Sequence, residues 1–580
     1  MRRPGFRSVK CAARAHARRE PDSIGMLLLR YCFARDIKRV CAARPTQTTR
    51  VFISMRCEAS NMERRRATRR ERLYLCIAIA AVITSMLYWT AFGINAYNTY
   101  HEYDDLGFTT MSMYYHIHYP QALGGPEYLV FWNHIAPDQL LILPIFYLYQ
   151  SSLTLLFVQA LGLSLTGLLI FFVVRDLVKS GAWALAFCLV YLLNPGMHGM
   201  LVFDYHFEFL IVPFYVLVFY FYMKLRVRWF FASLLLLLGT IDTAPFLAIF
   251  LGIGLLVYDF SYTRERKTRR LRLTLATCMV AFSIAVIISE AAIASALTQS
   301  YGSAYADLPT QFRVYDFGTG VASSLIGKVT GSNGQAWSAP SFNGYIVYGI
   351  AIALFSFGAA IFFDPLITLI FAAPWLANVL VLGNLNFAVV WDQYYSYVLG
   401  GAVVSAVLGL LMLKERRGLF ARMAYGFLGR SYEVTMGSFL GMTMVVATLM
   451  LTAMYPVMVY SKNINNLAQD FLFQVGPQQR ALDAQIGSML ALVPANASLL
   501  TMPFIIPHVA DREYLDNFPF MDSFFTPRFV LVDMSENASL NAQLNEPYLT
   551  AFLQNNSFYH VYARNGTAYI LERGVQTGSG

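Results

Sequence analysis

Carboxylate and imidazole side chains gather in four short polar segments that separate long apolar stretches of this sequence. An ionisable group beside a hydrocarbon segment is costly to place, so such groups commonly mark a reaction site or an ion path in a membrane protein. The residues concerned are Asp104, Asp105, His134, Asp204, His206, Glu208 and Asp242. We expect these side chains to meet in one hollow at one surface of a membrane.

A site of this composition is suited to sugar transfer from a lipid phosphate. A carboxylate about 3 Å from the hydroxyl of an acceptor can remove its proton, and cationic or hydrogen-bonding groups can stabilise the departing phosphate. We predict that Asp105 is this base, and that an apolar groove holds the polyisoprenyl tail of the donor. The residues predicted to bind substrate are His134, Asp204, His206, Glu208, Asp242, Arg313 and Tyr394, with Lys328 as a further cation for the phosphate.

Structural interpretations of the same residues remain open. Asp104 or Asp105 could cap a helix that begins near Gly107, because aspartate is favoured before the first turn. His134 could be an interfacial histidine without a ligand. Tyr394 fits the aromatic belt that many membrane proteins carry at the lipid surface.

A divalent cation is a possible cofactor, and the sequence offers one pattern for it. Asp204-x-His206-x-Glu208 supplies three ligand types, but residues at positions i, i+2 and i+4 do not share one face of a helix. We therefore assign no metal ligand. The cysteines show no metal-type pairing either.

The composition indicates a membrane protein with many spanning segments. Of the 580 residues, 57% are hydrophobic and only 13% are charged, whereas soluble domains carry about 25% charged residues. The abundance of apolar residues also excludes intrinsic disorder of the whole chain.

The net charge of +10 comes from the N-terminal segment. Residues 1–72 hold 20 Lys and Arg against 6 Asp and Glu, whereas the remaining 508 residues hold 24 against 28. Basic residues ahead of a first span hold an N-terminus in the cytoplasm. A nucleic-acid-binding arm is the alternative, but no folded reading module accompanies it, and we predict no nucleic-acid partner. Residues 1–72 are predicted to be a disordered cytoplasmic extension, with Met62 as a possible true start.

Apolar stretches and basic loops together predict eleven spans in residues 73–460. The segment 135–149 is short and contains two prolines and an aspartate, so we interpret it as a juxtamembrane or re-entrant helix. With that choice every basic loop falls on the cytoplasmic side, as the positive-inside rule requires. The predicted spans are 73–93, 152–174, 181–201, 208–223, 229–241, 244–260, 271–297, 341–363, 366–383, 395–413 and 434–460.

Residues 461–580 are predicted to form a small extracytoplasmic α/β domain. Ala481–Leu492 and Leu540–Leu553 have helical patterns, and Arg528–Asp533 has the pattern of a buried strand. Two further strands flank Asn565-Gly566, a pair typical of a hairpin turn. Glycosylation sequons, which belong on the outer side, occur at Asn496, Asn537, Asn555 and Asn565. The domain is interpreted as a lid or acceptor-recognition module, or as a purely structural element.

Several segments resemble a family of membrane proteins described only as domain of unknown function 2079. The most specific is Phe203-Asp204-Tyr205-His206-Phe207-Glu208. The others are Asp104 to Phe108, Asn133-His134, Ser151 to Leu156, Asn194-Pro195, Asp242-Thr243-Ala244, Leu492 to Ser498 and Phe529 to Asp533. Near Asp242 the family often has an acidic pair preceded by a lysine, whereas this sequence keeps one acid. The resemblance covers roughly residues 73–573.

This family is similar in layout to GT-C glycosyltransferases, such as protein mannosyltransferases and aminoarabinose transferases. The resemblance implies polyisoprenyl-phosphate sugar donors and a catalytic aspartate in the first outer loop, which here is Asp105 or Asp104. The expected fold is an all-α polytopic membrane protein, GT-C-like, with about 11 transmembrane helices, outer juxtamembrane helices and a small C-terminal α/β domain. The expected location is the cell membrane.

Two other functions compete with sugar transfer. A transporter or lipid flippase would commonly show paired repeats and charges near the bilayer midplane, and a membrane scaffold would need no catalytic group. A one-sided pocket that holds Asp105 and opens to lipid would favour transfer, whereas a path across to the cytoplasm would favour transport.

Overall fold

The computed structural model of the chain describes residues 47–100, 102, 104–120, 126–131, 134–301, 349–352, 355–357, 361, 364–377, 393–460, 477–512, 514–518, 526–534 and 546–574. The chain divides into two compact units, residues 1–73 and 74–580. In the first unit, residues 47–73 are helical, and the disordered cytoplasmic extension over residues 1–72 stays a prediction. The rest of that prediction, residues 1–46, lies outside the described residues.

The described part of the chain is mostly helical. In chain order the α-helices are α1 (Gln47–Asn98), α2 (Asp104–His118), α3 (Leu143–Leu148), α4 (Ser152–Val178), α5 (Gly181–Leu192), α6 (Pro195–Phe203), α7 (Ile211–Met223), α8 (Val227–Leu238), α9 (Ala244–Tyr262), α10 (Arg266–Tyr301), α11 (Pro365–Leu376), α12 (Ser396–Glu415), α13 (Leu419–Leu428), α14 (Tyr432–Tyr460), α15 (Pro477–Leu490) and α16 (Glu546–Asn555). The strands are β1 (Val130–Phe131), β2 (His134–Ile135), β3 (Leu499–Thr501), β4 (Leu515–Asn517), β5 (Phe529–Asp533), β6 (Tyr559–Asn565) and β7 (Ala568–Arg573).

Six helices of the described residues are apolar and long enough to cross a membrane. A helix rises about 1.5 Å per residue, so about 20 residues match a hydrocarbon core of about 30 Å. These helices are Arg69–Asn98, Ser152–Val178, Gly181–Phe203, Ala244–Tyr262, Arg266–Ser300 and Ser396–Glu415. They coincide with six of the predicted spans, and the chain is a membrane protein with several apolar helices.

Three of the other predicted spans correspond to shorter helices, and one lies mostly in an undescribed segment. Spans 208–223, 229–241 and 366–383 match apolar helices of 10–17 residues, and most of span 341–363 lies outside the described residues. Span 434–460 lies within the 29-residue α14, whose apolar part is Thr435–Met450. Helix α8 has 12 residues, which gives it a length of about 18 Å. The segment 135–149 forms a 3-10 turn followed by the six-residue α3; at about 9 Å this helix is too short to cross.

Basic side chains cap three helices at the end of the helical domain where α4, α7 and α9 finish. Lys414 Nζ donates to the carbonyl oxygen of Val178 at 2.7 Å, Arg417 Nη1 to that of Tyr262 at 2.9 Å, and Arg272 Nη2 to that of Met223 at 2.8 Å. Each acceptor is the last residue of its helix. Terminal carbonyl groups have no partner within a helix and carry partial negative charge, so these contacts tie neighbouring helices together.

The C-terminal part contains a small mixed sheet, in agreement with the predicted α/β character. Its strand order is β4-β3-β5-β7-β6, with β3 parallel to both of its neighbours and β5, β7 and β6 antiparallel. The predicted buried strand is β5, and all five of its residues are buried. The predicted hairpin is β6–β7, where Gly566 has a φ of 60°, a value that glycine adopts without strain.

The C-terminal domain contacts the helical domain through α2. Gly107 lies against Ile506, and a methyl group on Gly107 would lie 2.3 Å from Cγ2 of Ile506. Ser152 Oγ donates to the carbonyl oxygen of Pro507 at 2.8 Å, and the His508 ring stacks on Tyr97 with the centroids 4.0 Å apart. Helix α2 therefore lies between the sheet domain and the start of α4.

We expect Gly107→Ala to destabilise the protein, because the added methyl group overlaps Ile506. Overpacking of this kind costs about 1–3 kcal/mol. Gly437→Ala is the matched control, since its new methyl group would lie 3.9 Å from the nearest atom of Trp183 and alanine favours a helix. Thermal melts of the purified protein in detergent should show a lower melting temperature for Gly107→Ala only. Equal melting temperatures for the two variants would contradict the close contact.

Candidate functional site

The first turn of α2 is fixed by the carboxylate of Asp204, the residue that follows α6. One oxygen of Asp204 accepts the N–H of Leu106 at 3.0 Å, and the other accepts the N–H of Tyr205 at 2.6 Å. The first N–H groups of a helix have no partner within it, so Asp204 caps α2 from a distant part of the chain. The side-chain amide of Gln159 holds the carbonyl oxygen of Asp204 at 2.9 Å. Asp204, predicted to bind substrate, thus has the geometry of a positioning residue.

A second buried carboxyl group, Glu102, lies beside Asp204. Burial raises the pKa of Glu102 well above its usual range, and the charge and hydrogen bond of Asp204 raise it further. Burial also raises the pKa of Asp204, whereas the charge of His206 and the hydrogen bonds from two backbone N–H groups lower it. Two buried like charges in contact are costly. We assign a shared proton to Glu102, because the N–H groups on Asp204 favour its charged form.

His206, two residues after Asp204, holds the side chain of Asp105. Its Nε2 lies 2.8 Å from Oδ2 of Asp105, and the two side chains are 11% and 28% exposed. Burial lowers the pKa of His206, but the hydrogen bond and charge of Asp105 outweigh it and bring that pKa to about 10. The imidazole is therefore a cation at neutral pH. Asp105 is part of the first turn of α2. The segment 204–206 therefore holds this turn twice, through the backbone N–H of Leu106 and through the side chain of Asp105.

A second histidine–carboxylate pair joins β2 to the turn between α8 and α9. His134 Nδ1 lies 3.1 Å from Oδ2 of Asp242, with the side chains 30% and 1% exposed. Burial lowers the pKa of His134, whereas the charge and hydrogen bond of Asp242 raise it, and the net direction is upward. The short α8 ends before this turn, and Asp242 is therefore buried rather than placed in an open loop.

Glu208 connects the two pairs electrostatically. This side chain is 3% exposed, and the charges of His206, His134 and Asp242 all act on it. The charge of Asp242 also acts on Glu290, a buried residue of α10.

An aromatic pair borders the same groups. The hydroxyl groups of Tyr397 and Thr243 are 2.6 Å apart, and the Tyr397 ring stacks on that of Tyr394, with centroids 5.9 Å apart. The charges of Glu208 and Asp242 also act on Tyr397. Tyr394, predicted to bind substrate, is thus linked to the carboxylates through Tyr397.

The structure brings together most of the residues that the sequence singles out. Asp105, His134, Asp204, His206, Glu208 and Asp242 form one connected cluster, with Tyr394 at its edge. Arg313 and Lys328 lie outside the described residues, as does the side chain of Asp104. Asp104 is the first residue of α2, so the helix begins earlier than the cap interpretation expected. The cap itself comes from Asp204.

The predicted Asp-x-His-x-Glu metal pattern does not converge on one point. Asp204 accepts backbone N–H groups, His206 contacts Asp105, and Glu208 lies between the two histidines. In the described segments, no group of three His, Cys, Asp or Glu side chains has the geometry to hold a metal ion. A divalent cofactor remains a prediction.

Sequence reasoning missed Glu102, Glu290 and Tyr397. Glu290 carried a usable signal, since an isolated acid inside an apolar span is expensive and commonly functional. Glu102 lies two residues before Asp104 and could have been included with the acidic pair. Tyr397 gives no sequence signal of its own, because tyrosines are abundant in this chain, with 36 in total.

We expect the stabilisation that His206 provides to decrease as the pH rises. The folded-state pKa of about 10 lies above the ordinary value of 6.5, so this stabilisation is complete below pH 6.5 and is lost through pH 10. Linkage predicts a fall to about a third of the pH 6 value by pH 9. The measurement is the difference in melting temperature between wild type and His206→Gln across this range. The exposed His560 provides the control variant, His560→Gln, and a difference for His206→Gln that stays constant or grows would contradict the ion pair.

Comparisons with known proteins identify a family but no activity. No curated protein matches this chain. A family model described as "Predicted membrane protein (DUF2079)" matches residues 107–568, which is well over half of the 580 residues and lies within the stretch where the sequence resembles that family. The chain therefore belongs to the DUF2079 family of predicted membrane proteins.

Proposed function

We propose that this protein transfers a sugar from a polyisoprenyl-phosphate donor to an acceptor on the extracytoplasmic face of the cell membrane. The observation that supports this most directly is the Asp105–His206 pair. Asp105 is the more exposed member of that pair, and the segment 204–206 holds both its side chain and the backbone N–H of the next residue, Leu106. A general base needs this combination of access and fixed position.

The proposed reaction moves one proton and one glycosyl group. Asp105 removes the proton from the acceptor hydroxyl, whose oxygen forms a bond to the anomeric carbon of the sugar. The bond between that carbon and the phosphate oxygen breaks, and its electron pair leaves with the lipid phosphate. The His206 imidazolium stabilises the ionised form of Asp105 beforehand and lies close to where the phosphate gains negative charge.

The orientation and the eleven-span GT-C-like fold are part of the proposal. The basic residues that cap α4, α7 and α9 lie at the helix ends away from Asp105, and basic residues concentrate on the cytoplasmic side of membrane proteins. This supports an outer location for Asp105 and for the sheet domain that packs on α2. The exposed apolar side chains of the spanning helices are suited to contact with a polyisoprenyl tail.

Asp105→Asn should abolish sugar transfer while the protein stays folded, because asparagine keeps the shape of the side chain but cannot accept the proton. Loss of a general base lowers the rate by about 10²–10⁴-fold. The assay follows a labelled sugar from a panel of polyprenyl-phosphate donors, with Asp511→Asn, an exposed acid of the sheet domain, as the control. Wild-type turnover by Asp105→Asn would refute the assignment, and the parallel variant Asp104→Asn shows which acid of the pair is the base.

The proposed orientation places residues 461–580 outside the cell. A protease added to intact cells should therefore remove the sheet domain, while a tag at the N-terminus stays protected until the cells are lysed. Immunoblots against tags at the two ends provide the measurement. Protection of the C-terminal tag in intact cells, with cleavage only after lysis, would reverse the topology.

A further inference from the structure

The inner part of the site holds more carboxylates than cations. We define the inner cluster as Glu208, Asp242, Glu290 and His134, which interact electrostatically with Asp242 as the common member. It contains three carboxyl groups and one imidazole. Among the described residues, no lysine or arginine forms an ion pair with any of them. Buried charges are normally paired, so the described residues leave this cluster short of positive charge.

Two oxygen atoms of the inner cluster are buried and have no hydrogen-bond partner in the described part of the chain. They are Oε2 of Glu208 and Oδ1 of Asp242, on side chains that are 3% and 1% exposed. The other oxygen of Asp242 contacts His134. A buried acceptor without a donor costs free energy comparable to a lost hydrogen bond, so both atoms are suited to a donor that arrives with a ligand.

The walls of the inner cluster match the requirements of an organic cation. The charges of Glu208 and Asp242 act on Tyr397, whose ring stacks on that of Tyr394. The rings of Phe207 and His134 are in an edge-to-face arrangement. Aromatic faces attract ammonium groups, particularly where water is excluded. His134, at 30% exposure, lies on the side of the cluster nearest to solvent.

We propose that the inner cluster binds a primary ammonium group of the substrate. An ammonium ion carries three N–H donors, and Glu208 Oε2 and Asp242 Oδ1 are the acceptors that the cluster offers to them. A metal ion fits less well, because no three side chains of the described cluster converge as ligands. A phosphate is disfavoured by the excess of carboxylates. The assignment of this ammonium group to the substrate rests on the proposed function, and the amine belongs either to the donor sugar or to the acceptor.

Amine binding can be tested by thermal shift on the full-length protein purified in detergent. The probes are methyl glucosaminide, methyl N-acetylglucosaminide, methyl glucoside and ethanolamine. We expect a dose-dependent rise in melting temperature of at least about 2 °C with the glucosaminide, and none with the N-acetylated sugar, which lacks the charge, or with the glucoside. A rise with ethanolamine as well would support the site and indicate an aminated acceptor or lipid headgroup, whereas a rise with the glucosaminide alone would indicate an amino sugar.

Substitutions show whether the shift arises in the inner cluster. Glu208→Gln and Asp242→Asn should each remove it, whereas Glu265→Gln, which deletes an exposed acid elsewhere, should retain it. The proposal would be overturned if the glucosaminide and its N-acetyl derivative gave equal shifts, or if neither the glucosaminide nor ethanolamine gave a shift. Both results come from the wild-type protein, so the test holds even if neither variant folds. Asp105→Asn should retain the shift, so the failure of sugar transfer and the failure of amine binding can be distinguished.

Discussion

The hydrogen bond from Leu106 to Asp204 determines where the reactive end of α2 lies. Without it, the first turn of α2 would leave N–H groups unpaired at the junction between the helical and sheet domains. The same short segment carries His206, which fixes the side chain of Asp105. The segment that follows α6 therefore holds both the backbone of the first turn of α2 and the side chain of its acid.

Pairing of buried charges explains the arrangement of the rest of the site. His134 and His206 are each paired with one aspartate, and Glu102 shares a proton with Asp204, so four acids of the site have a local partner. Among the described residues, no lysine or arginine forms an ion pair with Glu208 or Glu290. These two side chains are less exposed than Asp105, so the proposed place of recognition is more buried than the proposed place of reaction.

Sequence patterns predicted the helical membrane architecture, the hairpin around Gly566 and the meeting of acids and histidines from separate connectors. Long apolar stretches and strand alternation carry these signals directly. The roles within the site were not readable, because Asp204 looks the same in the sequence whether it faces a ligand or caps a helix. Helix length was also misjudged at span 229–241, where apolar residues continue past the end of α8 at Leu238. An apolar stretch indicates that a segment is buried, but a buried turn can be as apolar as a helix.

The three basic caps have a consequence for how the molecule opens. Charged hydrogen bonds connect the C-terminal ends of α4, α9 and α7 to neighbouring elements, and their donors are Lys414, Arg417 and Arg272. Separating α4, α7 and α9 at these ends would break charged hydrogen bonds, so we expect any motion that admits a substrate to occur at the opposite ends of these helices.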